Sequence, residues 1–168
     1  MPFYSYDAQM LPPGLLPPIE AIEQDLTSII WDKLYKSTFQ SYVTIDGAAR
    51  DDDGSSQTVL RPGLLMTKNT STDKWQPWGT ETSFTSDKIQ GVLMLAQKMT
   101  RNGVDQDRFT GYMLVGGLVK VNGLIVHGES SAGIVGHAQE TNIRQQMYKN
   151  FMFDDDPQGH KAGTITWA

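Results

Sequence analysis

The residues that come nearest to a catalytic arrangement lie in the segment GESSA at 128–132. This segment has the Gly-x-Ser-x-small form of a nucleophile elbow, and Asp154 and His160 follow Ser130 in the chain order of an α/β-hydrolase triad. Such an elbow belongs to a parallel sheet of repeated βαβ units, whereas the pattern before it is typical of hairpins. Only 38 residues follow Ser130, too few for the remaining strands and helices. We therefore interpret GESSA as a Gly-Ser turn and expect no catalytic residue, with a hydrolase kept as a minor alternative.

Metal and nucleotide chemistry are also weakly supported. The three histidines, His127, His137 and His160, lack the helical spacing of a metal site. The acidic runs 51–53 and 154–156 lack the ligand pattern of a calcium loop, so we expect solvated loops of mutually repelling charges. The glycines at 128 and 133 have the outer spacing of a phosphate loop without the Lys-Ser/Thr that should follow. We predict no cofactor and no metal.

Composition narrows the class of protein further. With 168 residues, of which 39% are hydrophobic and 20% charged, the chain can bury the core of one ordinary domain. It contains no cysteine, so disulfides and thiolate chemistry are excluded. A net charge of -5 with scattered basic residues argues against a nucleic-acid partner. The sequence shows neither a bilayer-spanning apolar run nor a signal peptide, and we expect an unexported, soluble protein without a membrane partner.

The first 56 residues are predicted to form an arm, a helix and a loop. Residues 1–18 contain five of the eight prolines, which favours an extended arm, and the apolar side chains in the arm indicate that it lies against a surface. Apolar residues at helical spacing then predict a helix over about 18–36. SYVTI at 41–45 predicts a short strand, and the polar segment 47–57 a loop.

Residues 57–168 show the spacing of an all-β domain, with short strand-forming runs between Pro, Gly, Asn and Asp clusters. The stretch 59–78 predicts a hairpin with its turn at 69–73 and with Pro77 at a strand end or a sheet edge. GLIVHG at 123–128 predicts another strand, and 137–151 a helix that covers one side of the sheet. Trp75 and Trp78 are three apart, so they should point to opposite faces, one into the core and one available as an exposed anchor.

The order of these elements resembles the phage head decoration proteins of the lambda type. The likeness covers about residues 57–153 and is carried by LRPGLLMTKNTSTDKWQPW, KIQGVLMLAQ, YMLVGGLVKVNGLIV and the helix around NIRQQMYKNFMF. The chain departs from that pattern where AQKMTRN replaces an acidic run and GGLV replaces a Gly-acidic pair at 116–119. Its first 56 residues are also longer than the usual arm.

The resemblance implies a mainly β fold, a small β-tulip or barrel-like domain with an N-terminal arm and helix and a C-terminal helix. It implies a non-enzymatic capsid decoration (cement) protein that stabilises a bacteriophage head. Its partners would be the major capsid protein and itself, as a homotrimer at local three-fold sites on the outer surface of the virion capsid, after synthesis in the host cytoplasm. The alternative is a small carbohydrate- or protein-binding β module of a virion appendage, with the exposed tryptophan as its stacking platform.

The residues expected to contact a partner lie in the arm, in the SYVTI strand and at the second tryptophan of the hairpin. An extended arm or strand can add to an exposed sheet edge through main-chain hydrogen bonds, whereas packing of the arm against its own domain is an equally open possibility. The predicted contact residues are Phe3, Tyr4, Tyr6, Leu11, Tyr42, Val43, Ile45 and Trp78.

Overall fold

The computed structural model describes residues 38–40, 43–51, 58–79, 88–110 and 113–156. The predicted arm and the predicted helix over 18–36 lie outside these residues. Within them the fold is mainly β, with one α-helix, which confirms the predicted fold class. The strands are β1 (Thr38–Gln40), β2 (Val43–Ile45), β3 (Val59–Leu60), β4 (Leu65–Lys68), β5 (Trp75–Pro77), β6 (Gly91–Leu93), β7 (Gln97–Lys98), β8 (Thr100–Arg101), β9 (Val104–Asp105), β10 (Arg108–Thr110), β11 (Met113–Val119) and β12 (Phe151–Phe153); the helix α1 is Glu140–Met147.

The main sheet closes on itself. Its strand order is β1-β11-β6-β4-β5-β2-β10, and β12 adds to β11 in parallel. The pairs of β2 with β10 and of β1 with β11 share one antiparallel register, since Ile45 lies opposite Arg108 and Gln40 opposite Met113, a step of five residues on both strands. β1 and β2 are separated by only two residues. The stretch 38–45 therefore pairs with β11 through β1 and with β5 through β2, which closes the sheet. The arrangement is therefore barrel-like.

Two apolar clusters lie on opposite faces of this sheet. Successive residues of a strand point to opposite sides, and Leu65 and Met66 of β4 accordingly enter different clusters, as do Met113 and Leu114 of β11. The inner cluster takes side chains from β2, β4, β5, β6 and β11 and so fills the barrel. The outer cluster is covered by α1, whose Ile143 and Met147 pack there. Burial on both faces explains why the strands read as continuous apolar runs.

The hairpin predicted over 59–78 is present as β4 and β5, which pair antiparallel. Its turn is built by Asn69, whose Oδ1 accepts hydrogen bonds from the amides of Ser71 and Thr72, and by Asp73 at φ 60°. These are the local bonds that favour Asn and Asp in turns. Pro77 is the last residue of β5, as expected at a strand end.

Three predicted elements need correction. The helix is shorter than 137–151, because residues 151–153 form β12 beside β11. GLIVHG is not a strand: residues 121–123 form a 3-10 turn, and pairing in the run is limited to a bridge from Ile125 to Leu64. The boundary at 56/57 does not separate two packing units, because β1 and β2 belong to the same sheet as the later strands.

Candidate interaction surface

The GESSA segment is held by an arginine and shows no nucleophile elbow. Arg61 donates to the carbonyl oxygens of Glu129 and Ser130 at 2.6 and 3.0 Å. Ser130 lies in a bend rather than between a strand and a helix, and the Asp154 carboxylate accepts the amide of Val121 at 2.9 Å. His160 lies outside the described residues. The local structure is that of a fixed turn, as the sequence predicted.

The expectation that both acidic runs are solvated is wrong for Asp51. This residue is fully buried, and its carboxylate binds the Arg61 guanidinium through Nε and Nη2. The backbone of Asp51 also accepts the amide of Gly128 at 3.0 Å. A planar guanidinium matches a carboxylate with two parallel bonds, and here it joins the 51, 61 and 128–130 segments. Asp52 and Asp53 lie outside the described residues.

The second acidic run forms another buried network. Arg144 of α1 is fully buried, binds both oxygens of Asp155 at 2.8 and 2.9 Å, and also binds Glu140. Burial by itself lowers the pKa of Arg144, but the hydrogen bonds to Asp155 and Glu140 outweigh it, so that its pKa is raised and the group stays charged. The same guanidinium lies 4.9 Å from the centre of the Phe153 ring. The prediction of repelling, solvated charges therefore fails at this run too.

Tyr148 links the end of this network to Asp156. Its hydroxyl donates to the backbone oxygen and to Oδ2 of Asp156 at 2.6 and 2.8 Å, and its ring meets the edge of Phe153 at a centroid distance of 5.3 Å. Burial, followed by the bond to Asp156, raises the pKa of Tyr148 well above its ordinary value. These groups serve to anchor the C-terminal strand to α1.

His127 and His137, the two histidines that the structure describes, show no metal-binding arrangement. His127 is buried, His137 accepts the amide of Gln139 at Nδ1 and lies 3.3 Å from Glu129 through Nε2, and His160 lies outside the described residues. Across the part of the chain that the structure describes, no group of three or more His, Cys, Asp or Glu side chains is placed to hold an ion.

Exposed apolar side chains occur instead at the hairpin β8-β9 and the neighbouring strand β10. Val104 is 60% exposed and Phe109 is 66% exposed. We call Val104, with the turn Asn102–Gly103 between β8 and β9, the hairpin surface. Phe109 lies on β10, which pairs with β2 in the main sheet.

Polar bonds fix the base of the hairpin surface. Arg108 donates to the backbone oxygens of Lys98 and Thr100 at 2.6 and 3.2 Å, and Arg50 pairs with Asp105. The exposed side chain of Val104 is therefore carried by backbone that polar bonds hold in place.

Asp107, between β9 and β10, is held from two sides. It binds the Lys74 ammonium at 2.8 Å and accepts the amide of Gly47 at 2.8 Å. The bond to Lys74 lowers the pKa of Asp107, and the same bond raises the pKa of Lys74. These contacts tie the chain before β10 to the turn after β2 and to the start of β5.

The predicted contact side chains that the structure describes are buried. Val43 and Ile45 are buried in the inner cluster, and β2 is paired on both sides, with β5 and β10. Trp78 is fully buried in the outer cluster and Trp75 is buried in the inner one. The two tryptophans do point to opposite faces, but both faces are covered, so neither is an exposed anchor. Phe3, Tyr4, Tyr6, Leu11 and Tyr42 lie outside the described residues.

Sequence reasoning missed the hairpin surface. A usable signal was present, because Asn-Gly between two strands favours a two-residue hairpin turn, and Asn102–Gly103 is such a pair. The flanking residues are polar, and their weak apolar alternation hid the strands.

Comparison with protein-family models, curated proteins and solved structures finds no match to this chain. Among the residues described, no helix has the length and apolar character needed to cross a membrane.

Proposed function

We propose that this protein is a structural capsid decoration protein that binds the outer surface of a mature phage head, as a homotrimer at local three-fold sites, and stabilises it. The proposal starts from the resemblance of residues 57–153 to decoration proteins of the lambda type. It is supported by the mainly β, barrel-like fold and by polar groups that serve to hold turns and strands together. A trimer that engages several capsid subunits gains affinity through effective concentration.

The observation that carries the proposal is the hairpin surface. Val104 exposes apolar area on a hairpin whose base is fixed by the bonds of Arg108 and Arg50, and Phe109 exposes apolar area on the neighbouring strand β10. Because the backbone is already ordered, little conformational entropy is lost when a partner covers these side chains. We assign the major capsid protein as that partner.

The alternative of a small carbohydrate- or protein-binding module loses the stacking platform that its carbohydrate-binding form needs. It required Trp78 as an exposed stacking platform, and Trp78 is fully buried. The hydrolase alternative loses its basis as well, because Ser130 lies in a turn held by Arg61.

The test is co-sedimentation of the full-length protein with mature, undecorated capsids and with unexpanded precursor shells. We expect saturable binding to the mature shell alone. Val104→Asp should weaken this binding at least tenfold, since it places a charge in the apolar contact. Val135→Asp is the matched control, because Val135 is 59% exposed but lies on the loop before α1, and its binding should be unchanged.

Each other outcome counts against part of the proposal. Absence of binding to either shell by the unmodified protein would reject decoration. Equal binding by the Val104 and Val135 variants would reject the hairpin surface as the contact and leave decoration standing.

A further inference from the structure

The turn at the tip of the hairpin surface has the geometry of a two-residue type I′ turn. Arg101 pairs with Val104 and Thr100 with Asp105, so Asn102 and Gly103 alone make the connection. Both have positive φ, 53° for Asn102 and 76° for Gly103, as this turn requires. Both are exposed, and a Cβ built on Gly103 meets no atom within 4 Å. The peptide between them is therefore open to water.

An Asn-Gly pair can react with itself, because glycine has no side chain to hinder its amide nitrogen. We propose that Asn102 is a site of spontaneous deamidation in the folded protein. The Gly103 nitrogen, after losing its proton to solvent base, attacks Cγ of Asn102. The new C–N bond closes a succinimide ring, the bond from Cγ to the side-chain nitrogen breaks, and that nitrogen leaves as ammonia. Water then opens the ring at either carbonyl, giving aspartate or isoaspartate.

The local structure allows the turn to open as this reaction requires. β8 and β9 form a separate two-stranded sheet with two paired positions on each strand. The bonds of Arg50 and Arg108 hold only the base of this hairpin, so its tip opens at lower free-energy cost than the closed sheet. Among the described residues the Gly103 amide has no backbone acceptor, so no hydrogen bond must break to free the nucleophile.

A second Asn-Gly pair, Asn122–Gly123, provides an internal comparison. The Gly123 amide donates to the backbone oxygen of Lys120 at 3.0 Å within the 3-10 turn. The Gly123 oxygen would lie 2.1 Å from a Cβ built on Gly63, which shows how closely the backbone of Gly123 is packed. Attack by this nitrogen needs the turn to unfold, so Asn122 is protected although its side chain is exposed.

Deamidation of Asn102 changes the hairpin surface directly. Either product adds a negative charge beside Val104, and isoaspartate also inserts a methylene into the main chain at the turn, which breaks the I′ geometry. The reaction itself does not depend on the proposed function.

The experiment is incubation of the purified full-length protein at mildly alkaline pH in water enriched in heavy oxygen, followed by peptide mapping by mass spectrometry. In the folded protein we expect labelled product at Asn102 to accumulate many-fold faster than at Asn122. In a denaturing concentration of urea the two sites should convert at similar rates, because both then have an unhindered glycine nitrogen.

Two results would contradict the inference. Equal rates at the two sites in the folded protein would overturn the inference. So would conversion at 102 in urea but not in the folded protein, since the turn would then be protective. Asn102→Gly, which keeps the positive φ available, should abolish the acidic species seen by isoelectric focusing, whereas Asn122→Ala should retain it.

Discussion

At the scale of single residues, the half-buried Arg61 and the buried Arg144 join segments of a chain that has no cysteine. Arg61 connects Asp51 to the 129–130 backbone, and Arg144 connects α1 to Asp155. A guanidinium has five donors in a rigid fork, so one side chain can fix several partners at once. Such pairs specify which segments meet more than they add net stability, because both charges lose their hydration.

Tyr148 gives this network a measurable pH dependence. Its neutral form is favoured in the folded protein, whereas in the unfolded chain a tyrosine ionises near its ordinary pKa of about 10. The stability it contributes is therefore complete below about pH 10 and is lost as the pH rises above that value. Tyr148→Phe loses the hydrogen bonds to Asp156 and should therefore be less stable than the unmodified protein by roughly 1–3 kcal/mol at neutral pH.

The measurement is urea unfolding of the unmodified protein and of Tyr148→Phe from neutral to alkaline pH. The difference in free energy of unfolding should narrow above about pH 10. A difference that stays constant over the whole range would show that Tyr148 ionises alike in the folded and unfolded states.

At the scale of elements, the Arg-Pro-Gly corner at 61–63 depends on Gly63. Its amide donates to the Leu93 oxygen at 2.7 Å, and its own oxygen accepts the Ile125 amide at 2.8 Å. Its φ is 93°, and a Cβ there would lie 2.1 Å from the Gly123 oxygen. The entry of β4 and the 121–125 turn can approach so closely only because position 63 has no side chain.

Gly63→Ala should therefore lower the free energy of unfolding by more than the left-handed backbone at position 63 alone explains. Gly103→Ala is the matched control, because its φ of 76° is also left-handed but the space around it is open. We expect the control to lose roughly 1–2 kcal/mol and Gly63→Ala to lose more than about 4 kcal/mol, both measured by chemical unfolding. Equal losses would mean that the corner relaxes around the added methyl group.

The hairpin β4-β5 and the helix were predictable because their signals are local: turn residues at 69–73 and apolar residues at helical spacing. The apolar run 123–128 was predicted to be a strand and is not one. Apolar residues indicate that a segment is buried, but not that its backbone pairs with another strand. The burial of Asp51 could not be predicted either, since it depends on a bond to Arg61, ten residues further along the chain. For the same reason Val43 and Ile45, predicted to contact a partner, are core residues instead. The pattern indicates a strand but not which of its edges the fold already uses.

At the scale of the whole molecule, the described core and the N-terminal arm should be separable. The buried side chains that the structure describes lie between Val43 and Asp156. The apolar, proline-rich composition of residues 1–17 suits an extended segment that pairs with an exposed edge of the capsid. Their deletion should weaken binding to mature shells while leaving the thermal transition in place.

The deletion is checked by co-sedimentation and by calorimetry on the same preparation. Unchanged binding would remove the arm from the proposed contact. A collapsed thermal transition would show that the arm packs against its own domain instead.

The closed sheet also governs how the chain acquires its structure. The segment 38–45 pairs with residues that are synthesised much later, since Ile45 pairs with Arg108, 63 residues further along. β12 then joins β11 only after α1 has passed. Chains dominated by such distant pairings pay a large loop-closure entropy before their contacts form, and they fold on the order of milliseconds to seconds. During synthesis the early strand is therefore exposed for most of the time that the domain takes to emerge, and closure of the barrel is a late event.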